Sequence, residues 1–172
     1  MAITFARFPS PVGELVLTAS DTALKGVRFP LSRNRVTPEE ERDWVEDDGR
    51  GPAGAVLARA RLQLTEYFAG TRRSFDLPLA AAGSAFERSV WDLLRAIPYG
   101  ATTSYGELAR RLGDPHATRA VGAANGKNPI PIIVPCHRVV GARGELTGFG
   151  GGLDRKRWLL EHEGALLPLG RA

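Results

Sequence analysis

Apolar and polar positions alternate along this chain only near its start. Residues 3–8, 14–19 and 24–29 are short β-compatible runs, and Ser10-Pro11-Val12-Gly13 carries turn chemistry between the first two, so a small antiparallel sheet is expected. From residue 30 to 54 the pattern dissolves into polar residues, including Glu39-Glu40-Glu41 and Asp47-Asp48-Gly49. That stretch reads as a long surface loop with room for a short helix. The period then becomes helical: Val56, Leu57, Ala60, Leu64, Tyr67 and Phe68 recur on one face ahead of Gly70, which predicts an amphipathic helix stopped by that glycine. Residues 75–79 read as one more strand, and Ala80-Ala81-Ala82-Gly83 as a linker.

Beyond the linker the helix ends are legible. Ser84-Ala85-Phe86-Glu87 has the form of a capping box, and Phe86, Val90, Leu93, Leu94 and Ile97 follow as a core face up to the Pro98-Tyr99-Gly100 turn. A second box, Ser104-Tyr105-Gly106-Glu107, opens a short helix through Arg111 that ends at Leu112-Gly113. Asp114-Pro115 then offers an N-cap and an N1 proline for a helix reaching about Asn125, with Gly126 beyond it. Two short helices joined by a glycine-containing turn read as helix-turn-helix. Gly141-Ala142-Arg143-Gly144 makes a further turn, and residues 146–152 form a glycine-rich loop whose spacing fits neither common phosphate-binding motif. Asp154 is expected to cap a last helix, with Trp158, Leu159 and His162 inward and Gly164 as its stop. The fold class is α/β of the α+β kind: an N-terminal antiparallel-sheet domain with a helix over residues 1–80, and a mostly helical, winged-helix-like domain over residues 84–172.

Composition narrows the function. A chain of 172 residues with 43% hydrophobic and 24% charged content can bury a real core. Its first residues carry no basic-then-apolar leader, and no apolar run nears the roughly 18 residues of a membrane span, so a cytoplasmic protein is expected. The single cysteine excludes an internal disulfide and a multi-thiolate zinc site, and His116, His137 and His162 are widely spaced; neither metal nor cofactor is expected. Residues 1–85 hold 11 basic and 11 acidic side chains, while residues 86–172 hold 12 and 8. The whole excess of +4 therefore lies in the second half. It suits a polyanion such as DNA, or simply an arginine-rich composition without a partner, and charge alone leaves both open. The acidity of the 30–54 loop argues against DNA contact there.

The candidate chemistry sits in Asn128-Pro129-Ile130-Pro131-Ile132-Ile133-Val134-Pro135-Cys136-His137-Arg138-Val139-Val140. A cysteine after an apolar run is usually an inert buried hydrophobe. Here three prolines remove backbone donors and stiffen the segment, which suits a held nucleophile better than a central strand. His137 is the candidate base. Consecutive side chains diverge by about 100–180°, so a water or a third group is expected between Cys136 and His137.

Pro135-Cys136-His137-Arg138-Val139-Val140 resembles the active-site signature of the O6-alkylguanine-DNA alkyltransferases. The likeness extends to Arg119-Ala120-Val121-Gly122, Gly126-Lys127-Asn128-Pro129, Ser104-Tyr105 and Leu159-Leu160-Glu161-His162-Glu163-Gly164. It is strong over residues 85–165 and present only in outline before them. The resemblance implies single-turnover repair of duplex DNA, with an alkyl group moving from O6 of guanine, and by extension O4 of thymine, onto Cys136 after base flipping. It implies that Glu163 orients His137 and that Tyr105 crowds the flipped nucleotide's phosphate and supplies a proton to the leaving base. Arg119 would fill the vacated stack, and Ala120 and Ala123 would let the second helix approach the minor groove with little sequence specificity. Asn128 would brace the reactive segment, and Pro131, Val139, Phe149 and Gly150 would line the pocket. Two departures matter: Phe149 stands where relatives often have tyrosine, and Gly150 where some have serine, so Phe149 can stack on a purine but offers no hydroxyl to a ring nitrogen. Zinc-binding cysteines found in some relatives' N-terminal part have no counterpart here. A monomer is expected, with cooperative binding along DNA left open. Taken from the residues alone, a Cys-His hydrolase and a lesion-binding protein without chemistry remain alternatives.

Overall fold

The structure, a computed structural model, describes residues 2–30 and 37–167, which belong to two compact units, Met1–Ala82 and Gly83–Ala172. In the first unit, β1 (Ile3–Ser10), β2 (Gly13–Ala19) and β3 (Leu24–Arg28) form an antiparallel meander. Gly13, at φ 108°, lets the first hairpin close, with Ser10 Oγ donating to its carbonyl at 2.6 Å. The inner face, with Ala6, Leu15, Leu17, Leu24 and Val27, is buried against Leu57, Ala60, Leu64 and Tyr67 of α2 (Gly51–Phe68), while Phe5 pairs with Thr18 on the opposite face. Gly70, at φ 80°, closes α2 as its position after the last apolar residue predicts, and the Thr71 amide caps the Glu66 carbonyl at 2.9 Å.

The polar stretch is more ordered than its composition suggests. Thr37 and Glu40 form a capping box that starts α1 (Pro38–Glu41), and β4 (Trp44–Glu46) pairs parallel with β1, giving the sheet order β3-β2-β1-β4. Three residues are too few to show alternation, and only Trp44, 6.1 Å from the Phe5 ring, anchors them by packing. Residues 31–36 of that stretch lie outside the described residues. The strand expected at 75–79 is absent: Leu79 makes one parallel bridge to Leu24, and Pro78 lacks the N–H a ladder needs. Buried Gln63 holds this segment instead, donating to the Asp76 carbonyl at 2.9 Å and accepting from the Asp76 amide at 2.8 Å.

In the second unit, α3 (Ala85–Arg95) begins with the expected reciprocal Ser84–Glu87 box. Its inner face differs in one position. Phe86 is 39% exposed while Trp91 is buried, because the indole both fills more core and satisfies its N–H on the Ala124 carbonyl at 2.8 Å. In α4 (Tyr105–Arg111) the box is only half made: Ser104 Oγ accepts from the Glu107 amide, but the Glu107 carboxylate turns to Arg110 at 2.7 Å and Arg111 at 3.4 Å.

The next helix, α5 (Thr118–Gly126), begins later than Asp114-Pro115 suggests. Asp114 spends its carboxylate on the His116 amide at 3.0 Å, an Asx turn rather than a cap. A parallel two-residue ladder of β5 (Thr103–Ser104) and β6 (Val139–Val140) joins the start of α4 to the end of the reactive segment. The last helix, α6 (Leu153–His162), has Gly152 and not Asp154 as its N-cap; Asp154 lies in the first turn, where its charge favours the helix dipole. Leu159 is buried, whereas Trp158 and His162 are half-buried and stacked at 4.9 Å. Among the described residues no helix is long and apolar enough to cross a membrane.

Candidate active site

The reactive segment is buried from Ile130 to Val140, yet only its last two residues, β6, are in a strand. Its prolines leave carbonyls and amides that no ladder can satisfy, so a side chain does so. Asn128, itself buried, donates from Nδ2 to the Val134 carbonyl at 2.8 Å and accepts from the Ile130 amide at 3.0 Å. The loop this clasp encloses contains Ile132 at φ 73°, the one described non-glycine residue with positive φ. A β-branched residue there costs about 1–3 kcal/mol and persists only where its surroundings enforce it. The chain then makes a single 3₁₀ turn over Cys136–Arg138, closed by the Arg138 amide on the Pro135 carbonyl at 3.0 Å. This turn sends consecutive side chains in different directions, so Cys136 and His137 do not meet.

His137 turns instead to Glu163, its Nε2 lying 2.7 Å from Oε2. Arg138 joins the same carboxylate through Nε at 2.8 Å and Nη2 at 3.0 Å, and donates Nη1 to the Ile97 carbonyl at 2.7 Å. Glu163 is only 5% exposed, so a solvated surface role is ruled out. Burial pushes its carboxyl up, but the hydrogen bonds and charges of His137 and Arg138 outweigh this and hold it at about 2. Burial, helped by the Arg138 charge, pushes His137 below its usual value against the pull of Glu163, so the ring is neutral. The tautomer follows: a fixed carboxylate at Nε2 requires the proton there and leaves Nδ1 as the basic lone pair. That atom is buried and has no hydrogen-bond partner among the described residues. Burial pushes the Cys136 thiol up to about 11, opposed by Asn128 and by the charge of Lys156. The thiol therefore needs a base before it can act as a nucleophile.

The remaining expected residues are placed as follows. Tyr105, at the start of α4, donates its phenol to the Thr147 carbonyl at 3.1 Å. Burial raises its pKa, so it remains a proton carrier. Pro131 and Val139 are buried, while Phe149 and Gly150 are half-buried on the loop after β6. Arg119, Ala120 and Ala123 face outward on α5, and no contact brings them to Cys136. Arg119 has no ion-pair partner among the described residues.

Three residues of the site carried no assigned role in the sequence. Arg138 was visible in the motif but reads as a surface charge until its partner is known. Asn125 of α5, and not Asn128, reaches from the helix to the reactive residue, donating to the Cys136 carbonyl at 3.4 Å. Lys156 is fully buried, donating to the Val139 carbonyl at 2.6 Å and the Thr147 carbonyl at 2.7 Å. Within Arg155-Lys156-Arg157 it reads as one of three solvated cations, and nothing local distinguishes it.

Comparison with known proteins accounts for both units. Residues 3–81 match the ribonuclease-like domain of 6-O-methylguanine DNA methyltransferase, and residues 85–165 match the DNA binding domain of the same family. A methylated-DNA–protein-cysteine methyltransferase of Methanosarcina acetivorans is 47% identical over 94% of this chain and 98% of its own length. One from Shigella flexneri is 58% identical over 61% of this chain and 62% of its own. Among solved structures, O6-methylguanine methyltransferase of Mycobacterium tuberculosis superposes with a TM-score of 0.83 at 44% identity, covering 97% of this chain and 96% of that one. A structure of that organism's OGT in complex with DNA gives 0.81 at 44% identity, covering 96% and 94%. With one family model matching residues 3–81 and the other residues 85–165, the chain belongs to the 6-O-methylguanine DNA methyltransferase family.

Proposed function

We infer that this protein repairs alkylated DNA by moving an alkyl group from O6 of guanine onto its own Cys136, once per molecule. The observation that carries the mechanism is the buried Nδ1 of His137, without a hydrogen-bond partner among the described residues and made basic by the Glu163 carboxylate locked on the opposite nitrogen. One water between Sγ and Nδ1 relays the thiol proton to the ring. The thiolate attacks the alkyl carbon, the S–C bond forms as the C–O6 bond breaks, and the electron pair leaves with guanine. Tyr105 returns a proton to the departing base, exchanging its Thr147 acceptor for the lesion. Glu163 stabilises the imidazolium, and Arg138 keeps Glu163 ionised while that charge appears. A thioether has no easy route back to thiolate, so the protein is consumed.

O6 of a paired guanine is out of reach of a buried sulfur, which requires the base to leave the stack. The small exposed residues Ala120 and Ala123 allow α5 to approach the minor groove closely, with Arg119 entering the gap. Few base-reading side chains lie on that face, which favours binding with little sequence preference. The chain acts as a monomer in this reading. O4-alkylthymine is accepted to the extent that the pocket of Pro131, Val139, Phe149 and Gly150 admits it.

The test is intact mass after incubation with a short duplex containing O6-methylguanine. One added methyl group, on the peptide carrying Cys136, and no further reaction are expected. Many products per protein, or a label elsewhere, would overturn the assignment and favour a hydrolase.

A further inference from the structure

A phenol that gives up its proton leaves a phenolate behind, and that charge needs a donor. One residue of the 146–152 loop touches the phenol oxygen of Tyr105 twice. Its carbonyl accepts from the phenol at 3.1 Å, and its hydroxyl donates back to the same oxygen at 3.5 Å; the residue is Thr147. The next residue, Gly148 at φ 55°, keeps the loop backbone close, since a Cβ there would stand 3.4 Å from that oxygen.

The two contacts respond oppositely to loss of the proton. A carbonyl only accepts, so it holds the phenol as long as the phenol keeps its hydrogen. A hydroxyl can donate, and its bond to a charged oxygen is shorter and stronger than its bond to a neutral one. At 3.5 Å the resting bond is long for two oxygens, which leaves it room to tighten as charge develops. Meanwhile the carbonyl stays where it is, because Lys156 holds it at 2.7 Å. The other groups that bear on the phenol are the Lys156 ammonium, 5.9 Å from the ring centre, and Cys136, whose thiolate opposes a second anion. Burial raises the phenol's pKa, and the Thr147 hydroxyl works against that rise.

We propose that Thr147 is a positioning residue for proton delivery: its carbonyl keeps the Tyr105 phenol parked at rest, and its hydroxyl stabilises the phenolate during transfer. The role in transfer rests on the repair reaction inferred above, but the hold on the phenol does not. In that reaction the C–O6 electron pair leaves with guanine, the Tyr105 O–H bond breaks, and its proton goes to the departing base. The negative charge then rests on the phenol oxygen, balanced by the imidazolium that took the thiol proton.

The experiment measures single-turnover methyl transfer from duplex O6-methylguanine by wild type, Thr147→Val, Thr147→Ser, Tyr105→Phe and the double variant Tyr105→Phe/Thr147→Val. Valine keeps the shape of threonine and removes only the hydroxyl, on a residue that is exposed and carries little of the core. Transfer by Thr147→Val should be about tenfold slower, the size of a lost hydrogen bond to a charged group, and Thr147→Ser should restore it to within about twofold. In the Tyr105→Phe background valine should make no further difference, because the oxygen it acts through is gone. A second measurement needs no DNA. With fluorotyrosine in place of tyrosine, which brings phenol titration toward neutral pH, fluorine NMR follows the resonance that Tyr105→Phe removes. That phenol should titrate about half a unit or more higher in Thr147→Val than in the parent protein. Lys156 and Cys136 are common to both proteins, so their own titration does not create the difference. Wild-type transfer by Thr147→Val, equal slowing by valine with and without the phenol, or an unshifted phenol overturns the proposal. A wild-type protein that accepts no methyl, with the phenol shift present, overturns the repair reading and leaves the hold of Thr147 on Tyr105 standing.

Discussion

At the scale of single residues, the site is a set of charges that make sense only together. Glu163 is held at about 2 by three hydrogen bonds, well below the usual carboxylate range. A carboxyl with a depressed folded-state pKa contributes stability that is fully present above its unfolded value, near 4.5, and is lost as pH falls toward 2. His137 adds to the same trend: kept neutral in the fold, it penalises folding as pH falls below its ordinary value near 6.5. Acid titration monitored by Trp91 fluorescence should therefore show this unit loosening progressively below about pH 6. A transition that is flat to pH 3 would contradict the charge assignment. Glu163→Gln removes the negative charge between two buried donors, and stranding Arg138 should cost about 3–5 kcal/mol in urea unfolding. In the variant that remains folded, transfer should slow and its pH dependence move, because Gln no longer fixes the tautomer with Nδ1 free. Cys136→Ser should abolish transfer while leaving duplex affinity in place, since most non-specific affinity comes from phosphate contacts.

At the scale of elements, the segment from Asn128 to Val140 works as a rigid loop because one amide side chain replaces a missing ladder. Asn128→Ala would leave the Val134 carbonyl and the Ile130 amide buried and unpaired, at about 1–3 kcal/mol each. The strained φ of Ile132 should relax in the variant, displacing Cys136 relative to His137. Transfer should accordingly fall by more than tenfold while binding of unmodified duplex changes little, a split that gel-shift and single-turnover assays read separately. Equal losses in both would mean that the clasp supports α5 as a whole. Asn125 couples α5 to the Cys136 carbonyl, so that helix and the reactive residue share one short mechanical link.

At the scale of the molecule, charge and surface divide the labour. The basic excess lies in the unit that contains Cys136, and duplex affinity should fall steeply as salt rises. A complex indifferent to salt would contradict a phosphate-tracking face. Arg119→Ala should slow repair of duplex O6-methylguanine far more than reaction with a free alkylated guanine base, which needs no flipping, with single-stranded substrate between the two. Equal slowing of all three in a folded variant would make Arg119 a support of the active site rather than a replacement for the extruded base.

The sequence by itself determined those features whose causes are local. Caps and stops follow from side chains within a few positions of the backbone they satisfy, so the Ser84 box and the Gly70 terminus were legible. The strands of the first meander were legible because alternation needs only neighbours. Motif resemblance singled out Cys136, His137 and Glu163, and helix logic gave only a hint that a glutamate in a last turn was misplaced; their meeting in space, His137 on Glu163, is a property of the fold. Tertiary structure decided everything that depends on a distant partner. It turned Asp114 into an Asx turn, gave β4 its place beside β1, and put Trp91 rather than Phe86 into the core. It also decided whether a charged side chain is solvated or buried. Arg138, Glu163 and Lys156 are ordinary surface residues by composition, and only the fold, by removing water from them, makes one a clamp, one an orienting anion and one a buried cation.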